Sequence, residues 1–176
     1  STLYDTCRAP IWYSKDIEFA GVKIDGVKAF RECKNINVKQ CDFNSEEIFW
    51  NCKKITISDT NIKSVYAFFG SSDIVLKNVS FSGKYSFQYT KNIEIIDSVL
   101  DTKDAFWHCN NVVVRNSIVK GEYLGWYSNN LTLINCKITG TQPLCYAKNL
   151  VLIDCTMEDC DLAFEYSEVS GNIQKK

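Results

Sequence analysis

Apolar residues recur along this chain at a spacing of nineteen. Ile17, Ile36, Ile55, Ile74, Ile93, Val112, Leu131 and Leu150 form one series. Two places later run Phe19, Val38, Ile57, Leu76, Ile95, Val114, Leu133 and Leu152. A small-residue series follows: Val22, Cys41, Thr60, Val79, Ser98, Ser117, Cys136 and Cys155. A fourth runs from Ile24 and Phe43 through Ile62, Phe81, Leu100, Val119 and Ile138 to Met157. The eight copies need no insertion, and the register slips by about one residue only near Ala163 and Phe164.

Apolar residues two apart predict a strand with alternate side chains pointing inward. Each copy therefore predicts a short strand, a break and a second strand. The break holds Gln40, Asp59, Asn78, Asp97, Asn116, Asn135 and Asp154. Asn and Asp tolerate left-handed backbone angles, so they suit a sharp corner. A third segment carries Phe30, Phe49, Phe68, Phe87 and Phe106 in one column. Its aromatic residues favour a third strand. A polar column, Asp16, Asn35, Asp73, Asn92, Asn111, Asn130 and Asn149, precedes each new copy, and stacked amides can hydrogen-bond along it.

Three short strands and three corners per copy describe an all-β fold, a parallel β-helix (solenoid) of about eight to nine 19-residue coils. Each coil would rise about 4.8 Å. Residues 1–176 form one such domain, stabilised by stacking because no coil buries its own face. Leu131, Leu133, Cys136 and Ile138 also fit part of a leucine-rich repeat. Those repeats are longer and return through a helix or loose segment, whereas this return is rich in Phe, Trp and Tyr. The six-residue beat of a left-handed hexapeptide helix is absent.

A net charge of −1 gives no electrostatic case for nucleic acid or an anionic membrane. No apolar run approaches the ~20 residues of a membrane span, and no signal peptide is visible. There are nine cysteines but one histidine, His108, and no C-x-x-C, so no metal or other cofactor is expected. Cys33, Cys52 and Cys109 share a column with Ser71, Thr90 and Ser128. Interchange with Ser and Thr marks small buried thiols, which suit a reduced, cytoplasmic compartment. Cys33–Cys52 or Cys136–Cys155 could come close enough to bridge, but parallel side chains in neighbouring coils are poorly aimed for it.

The segments CRAPIWYS, KYSFQY, DTKDAFWHC, KGEYLGWYS, TQPLCY and DLAFEYSEV resemble those of an uncharacterised bacterial domain-of-unknown-function family with a pectin-lyase-like fold. The resemblance covers most of the chain and implies a right-handed β-helix. It also implies that this chain is a segment of a longer solenoid. It brings no activity and no catalytic residues.

The residues themselves lean away from an enzyme, because nineteen-residue coils leave no long loops to wall a site. A uronate lyase would need clustered carboxylates for Ca²⁺ and a strong base. Arg8, Arg31 and Arg115 share no column, and Asp59, Asp97 and Asp154 fit as corner residues. Glycoside hydrolysis needs two carboxyls within about 10 Å. Asp104 and Glu122, in adjacent coils, are the weak candidates, with Trp107, Trp126, Tyr85 and Tyr123 nearby. His108 fits an aromatic column with Tyr89 and Tyr127 better than a Cys–His pair with Cys109, because successive strand residues point to opposite faces.

Trp50, Phe69, Trp107 and Trp126 stand one place after the inward phenylalanines, so alternation predicts that they point outward. With Tyr85 and Tyr123 they form a candidate ligand surface, for a carbohydrate or a partner protein. Unpaired strand edges at the solenoid ends, or this aromatic stripe, could also join copies of the chain. A non-enzymatic binding or scaffold module is the leading expectation, and a carbohydrate-active enzyme the alternative. Columns of threonine for an ice-binding surface are missing.

Overall fold

The nineteen-residue beat becomes the strand register. Ile17 pairs with Ile36, Ile36 with Ile55, Ile55 with Ile74, and Ile74 with Ile93. Val112 continues the column between Ile93 and Leu131. The structure is a computed structural model that describes residues 1–3 and 8–175, so Cys7 lies outside the described residues. Among the described residues all strand pairings are parallel and join one sixteen-stranded sheet. That sheet winds into a β-solenoid of about nine turns.

The first two sides of each coil are the expected strands. Lys34–Lys39 and Asp42–Trp50 are separate, whereas Lys53–Ser64 and Ser72–Lys84 run through the corner. The corner residues take the left-handed conformation their side chains tolerate: Asp59 has φ 51°, Asn78 52° and Asn116 49°. Amide ladders tie neighbouring corners, as in Asn35 Nδ2 to Asp16 Oδ1 at 2.7 Å and Asn78 Nδ2 to Asp59 Oδ1 at 2.8 Å.

The third side departs from a plain strand. It pairs as one in Lys23–Arg31, Asp42–Trp50 and Tyr66–Ala67, then becomes a run of turns from Tyr85 onward. Alternate residues there flip to positive φ: Tyr85, Phe87 and Tyr89, then Asp104, Phe106 and His108. Inward phenylalanines still fill the core. Phe30, Phe49, Phe68, Phe87 and Phe106 are fully buried and stack at centroid distances of 4.6, 5.0, 4.7 and 4.8 Å. The column then ends, because Gly125 replaces the ring and Leu131 and Leu144 fill the space.

The cysteines explain themselves through hydrogen bonds. Ser98 Oγ donates to the Ile96 carbonyl at 2.8 Å and Thr60 Oγ1 to that of Ser58 at 2.8 Å. Cys136 and Cys155 Sγ do the same, to Ile134 at 3.4 Å and Ile153 at 3.5 Å. A thiol thus performs the hydroxyl's job at the corner. The eight described cysteines are free. Burial pushes the thiols of Cys52 and Cys109 up to about 12.

The corner that Gly83 and Gly140 occupy leaves no room for a side chain against the neighbouring coil. A Cβ on Gly83 would fall 1.6 Å from the Ser64 carbonyl oxygen, and one on Gly140 2.1 Å from that of Gly121. A register slip lies where the sequence placed it. Tyr146 stacks on Tyr166, twenty residues on, before Leu150 pairs with Val169, nineteen on. A second, not expected from the sequence, falls between Leu152, which pairs with Gly171, and Cys155, which pairs with Ile173.

Candidate functional site

The third side presents three adjacent columns of exposed or half-buried rings. The tryptophan column contains Trp12, Arg31, Trp50, Phe69, Gln88, Trp107 and Trp126. Alternation pointed these rings outward, and the structure holds them half-buried. The indoles among them are tied to the following coil by a repeated hydrogen bond. Trp12, Trp50, Trp107 and Trp126 each donate the indole N–H to a backbone carbonyl sixteen residues on, at 2.9, 3.1, 2.8 and 2.8 Å. Gln88 Nε2 makes the same bond, to the Asp104 carbonyl at 3.2 Å. Arg31 takes its place in the column as a cation between rings, 5.4 Å from the Trp12 centroid and 5.1 Å from that of Trp50.

Tyrosines flank this column on both sides. Three places earlier come Tyr66, Tyr85, Asp104 and Tyr123. Tyr66 and Tyr85 stack at 4.6 Å, and Tyr66 and Tyr123 meet Trp50 and Trp126 edge-on. One place later runs the most exposed series, Tyr89, His108, Tyr127, Tyr146 and Tyr166. Its rings stack at 4.8, 5.0, 5.0 and 5.5 Å with planes within 13° of parallel. His108 is therefore one rung of an aromatic column, as its position in the repeat implied. Tyr127 is 45% and Tyr166 84% exposed. None of the tyrosine hydroxyls in this series has a hydrogen-bond partner among the described residues.

The two carboxylates singled out from sequence lie in adjacent coils, with the Asp104 N–H bonded to the Glu122 carbonyl at 2.9 Å. Their surroundings differ. Glu122 is exposed and pairs with Lys103 Nζ at 3.0 Å, a contact that raises the lysine's affinity for its proton. Asp104 is 8% exposed, and its carboxylate makes no hydrogen bond among the described residues. Its pKa is raised, first by burial and then by Glu122, against the pull of Lys103. Concavities of about 740 and 420 Å³ lie elsewhere, one around Met157 and Phe164 and the other around Lys63 and Lys84. Neither includes Asp104, Glu122 or a tryptophan.

Among the described residues no group of three or more potential ligands could hold a metal ion, and no helix is long and apolar enough to cross a membrane. The exposed tyrosine series was legible only as spacing. Nothing in residue type distinguished it from the tryptophan column, which the backbone bonds draw inward.

Comparison with known proteins adds a family but no activity. The full-length structure of QnrB1, a plasmid-mediated fluoroquinolone resistance protein, is 10% identical over 93% of this chain and 92% of that chain, with a TM-score of 0.38. A trypsin-treated form of QnrB1 is 12% identical over 97% of this chain and 92% of that chain, with a TM-score of 0.28. No curated protein matches. Residues 1–176 match a family described as a protein of unknown function (DUF3737), and the chain belongs to that family.

Proposed function

We propose that this chain is a non-enzymatic scaffold that docks a partner protein on its outer tyrosine–histidine ladder. The stacking of Tyr89, His108, Tyr127, Tyr146 and Tyr166 carries this reading. A sugar platform needs ring faces turned to solvent. Here each inner ring of the series covers its neighbours' faces, leaving edges and phenolic hydroxyls outward. Such a surface matches the tyrosine-rich contacts of protein interfaces. Rings already held by their neighbours also lose little side-chain freedom on binding.

The test places a photo-crosslinking residue at Tyr127 and, as a comparison, at Lys39 on the polar outer face of an early coil. Discrete protein adducts, a second copy of this chain among them, are expected from position 127 alone. A glycan screen provides the opposing result. Saturable sugar binding that is lost in a Trp107→Ala, Trp126→Ala double variant would replace the protein reading with a carbohydrate one.

A further inference from the structure

Two thiols stand one above the other at a single corner. Cys136 and Cys155 occupy the same inward column, and the strands that follow them pair in register, Lys137 with Thr156 and Ile138 with Met157. Their sulfurs are held alike. Cys136 Sγ donates to the Val114 and Ile134 carbonyls, both at 3.4 Å, and Cys155 Sγ to the Leu133 and Ile153 carbonyls at 3.2 and 3.5 Å. Each partner of Cys155 lies nineteen residues beyond the matching partner of Cys136. The two sulfurs therefore repeat with the coil, roughly 4.8 Å apart. They are near enough to share a hydrogen bond, which lowers the pKa of the Cys155 thiol and raises that of Cys136.

This spacing suits one kind of bridge. A disulfide would have to draw the sulfurs to about 2.05 Å, against parallel side chains on a fixed register. A metal ion with two sulfur bonds of roughly 2.3 Å in a line spans about 4.6 Å, nearly the rise of one coil. Two donors are too few for tetrahedral Zn²⁺. Soft thiolates suit Cu(I), whose filled d shell accepts two donors in a line. The corner can also be reached from outside. A concavity of about 270 Å³ is lined by Asn135, Cys136, Lys137, Asp154 and Thr156, among others. Beside it the next coil is one residue short, since Leu152 pairs with Gly171 but Cys155 with Ile173. Cys33 and Cys52 repeat the same carbonyl bonds one coil apart, and the groove singles out the later pair.

We propose that Cys136 and Cys155 form a two-coordinate site for a soft monovalent cation, Cu(I) in particular, which ties adjacent coils together at the corner groove. The ion takes the place of the proton that the two sulfurs share. Starting from two thiols, binding forms two metal–sulfur bonds and breaks two S–H bonds. Both protons leave for solvent, and no oxidation state changes. The bridge carries one negative charge, no more than the thiol–thiolate pair it replaces. The site stands apart from the docking role of the outer ladder and does not require it.

The experiment loads the reduced full chain with Cu(I) under anaerobic conditions and challenges it with bicinchoninate, a coloured Cu(I) chelator that removes loosely held ion. Copper and protein are then counted after desalting. The parent chain is expected to keep at least one Cu(I). Cys136→Ser and Cys155→Ser should each keep one fewer than the parent. Serine already fills this column at Ser98 and Ser117, so both variants stay folded, which an unchanged far-ultraviolet circular dichroism spectrum checks. Cys109→Ser removes a buried thiol whose column neighbours are Thr90 and Ser128, and it should keep as many ions as the parent. No copper retained by the parent, an unchanged count in either Cys136→Ser or Cys155→Ser, or an equal loss in Cys109→Ser overturns the proposal.

Discussion

Two aromatic ladders run along this solenoid, and they differ in one respect. The inner ladder, Phe30 to Phe106, and the outer ladder, Tyr89 to Tyr166, have nearly the same stacking distances, 4.6–5.0 Å and 4.8–5.5 Å. The inner rings are fully buried, whereas Tyr89, Tyr127 and Tyr166 are exposed. Burial of a phenylalanine explains itself through the apolar area removed from water. The outer rings gain only the smaller benefit of ring contact, about 0.5–1.5 kcal/mol per pair. Equal geometry therefore conceals unequal stabilisation. The inner ladder contributes most to holding the coils together, and the outer one contributes less.

The comparison breaks most directly at Phe68, the middle of the inner ladder. Phe68→Ala should destabilise the chain by about 3–5 kcal/mol in urea unfolding; a loss no larger than that at an outer ring would erase the distinction. Gly125→Phe extends the inner ladder by one ring into space held by neighbours. A Cβ there would lie 2.9 Å from Leu144 Cδ2 and 3.1 Å from Leu131 Cδ2. The backbone accepts an aromatic residue at positive φ in five earlier coils, so overpacking sets the cost, about 1–3 kcal/mol.

The interior thiols sharpen the contrast through pH. Burial raises the Cys109 thiol to about 12, whereas an unfolded thiol titrates near 8.5. Below about 8.5 both states hold the proton and the contribution is fully present. Above it the unfolded state releases its proton first, so stability falls by up to about 1.4 kcal/mol per pH unit until the folded thiol also ionises. Unfolding titrations between about pH 9 and 11 should show a shallower decline in Cys109→Ser than in the parent chain. The smallest effect belongs to the outer ladder. Tyr127→Ala should cost about 1 kcal/mol in the same urea assay.

The repeat was readable because burial constrains every coil in the same way. A one-residue slip would turn the Ile74 and Ile93 columns to solvent, so the spacing of apolar residues fixes the register the structure shows. Corner residues were readable because Asn and Asp suit positive φ. The third side was not, because its phenylalanines and tyrosines favour strands in isolation. Packing between coils drives Phe87 and Tyr89 into the left-handed region instead, and residue type carries no sign of it. The half-burial of Trp107 and Trp126 escaped for a similar reason. It depends on a backbone carbonyl sixteen residues on, an offset that no side-chain pattern records. Asp104 was visible as a carboxylate beside aromatic residues, but its low exposure, 8%, emerged only from the packing of neighbouring coils.

The nineteen-residue register also governs how the chain reaches this shape. Side-chain hydrogen bonds between coils join residues such as Trp12 and Lys28, 16 apart, or Ser167 and Leu144, 23 apart. Distant ends of the polypeptide never have to find each other. Once two coils have closed, each further coil adds onto a finished template at the modest entropy cost of one short loop. The kinetic barrier then lies in forming the first pair of coils, and lengthening the solenoid would add stability with little delay in folding.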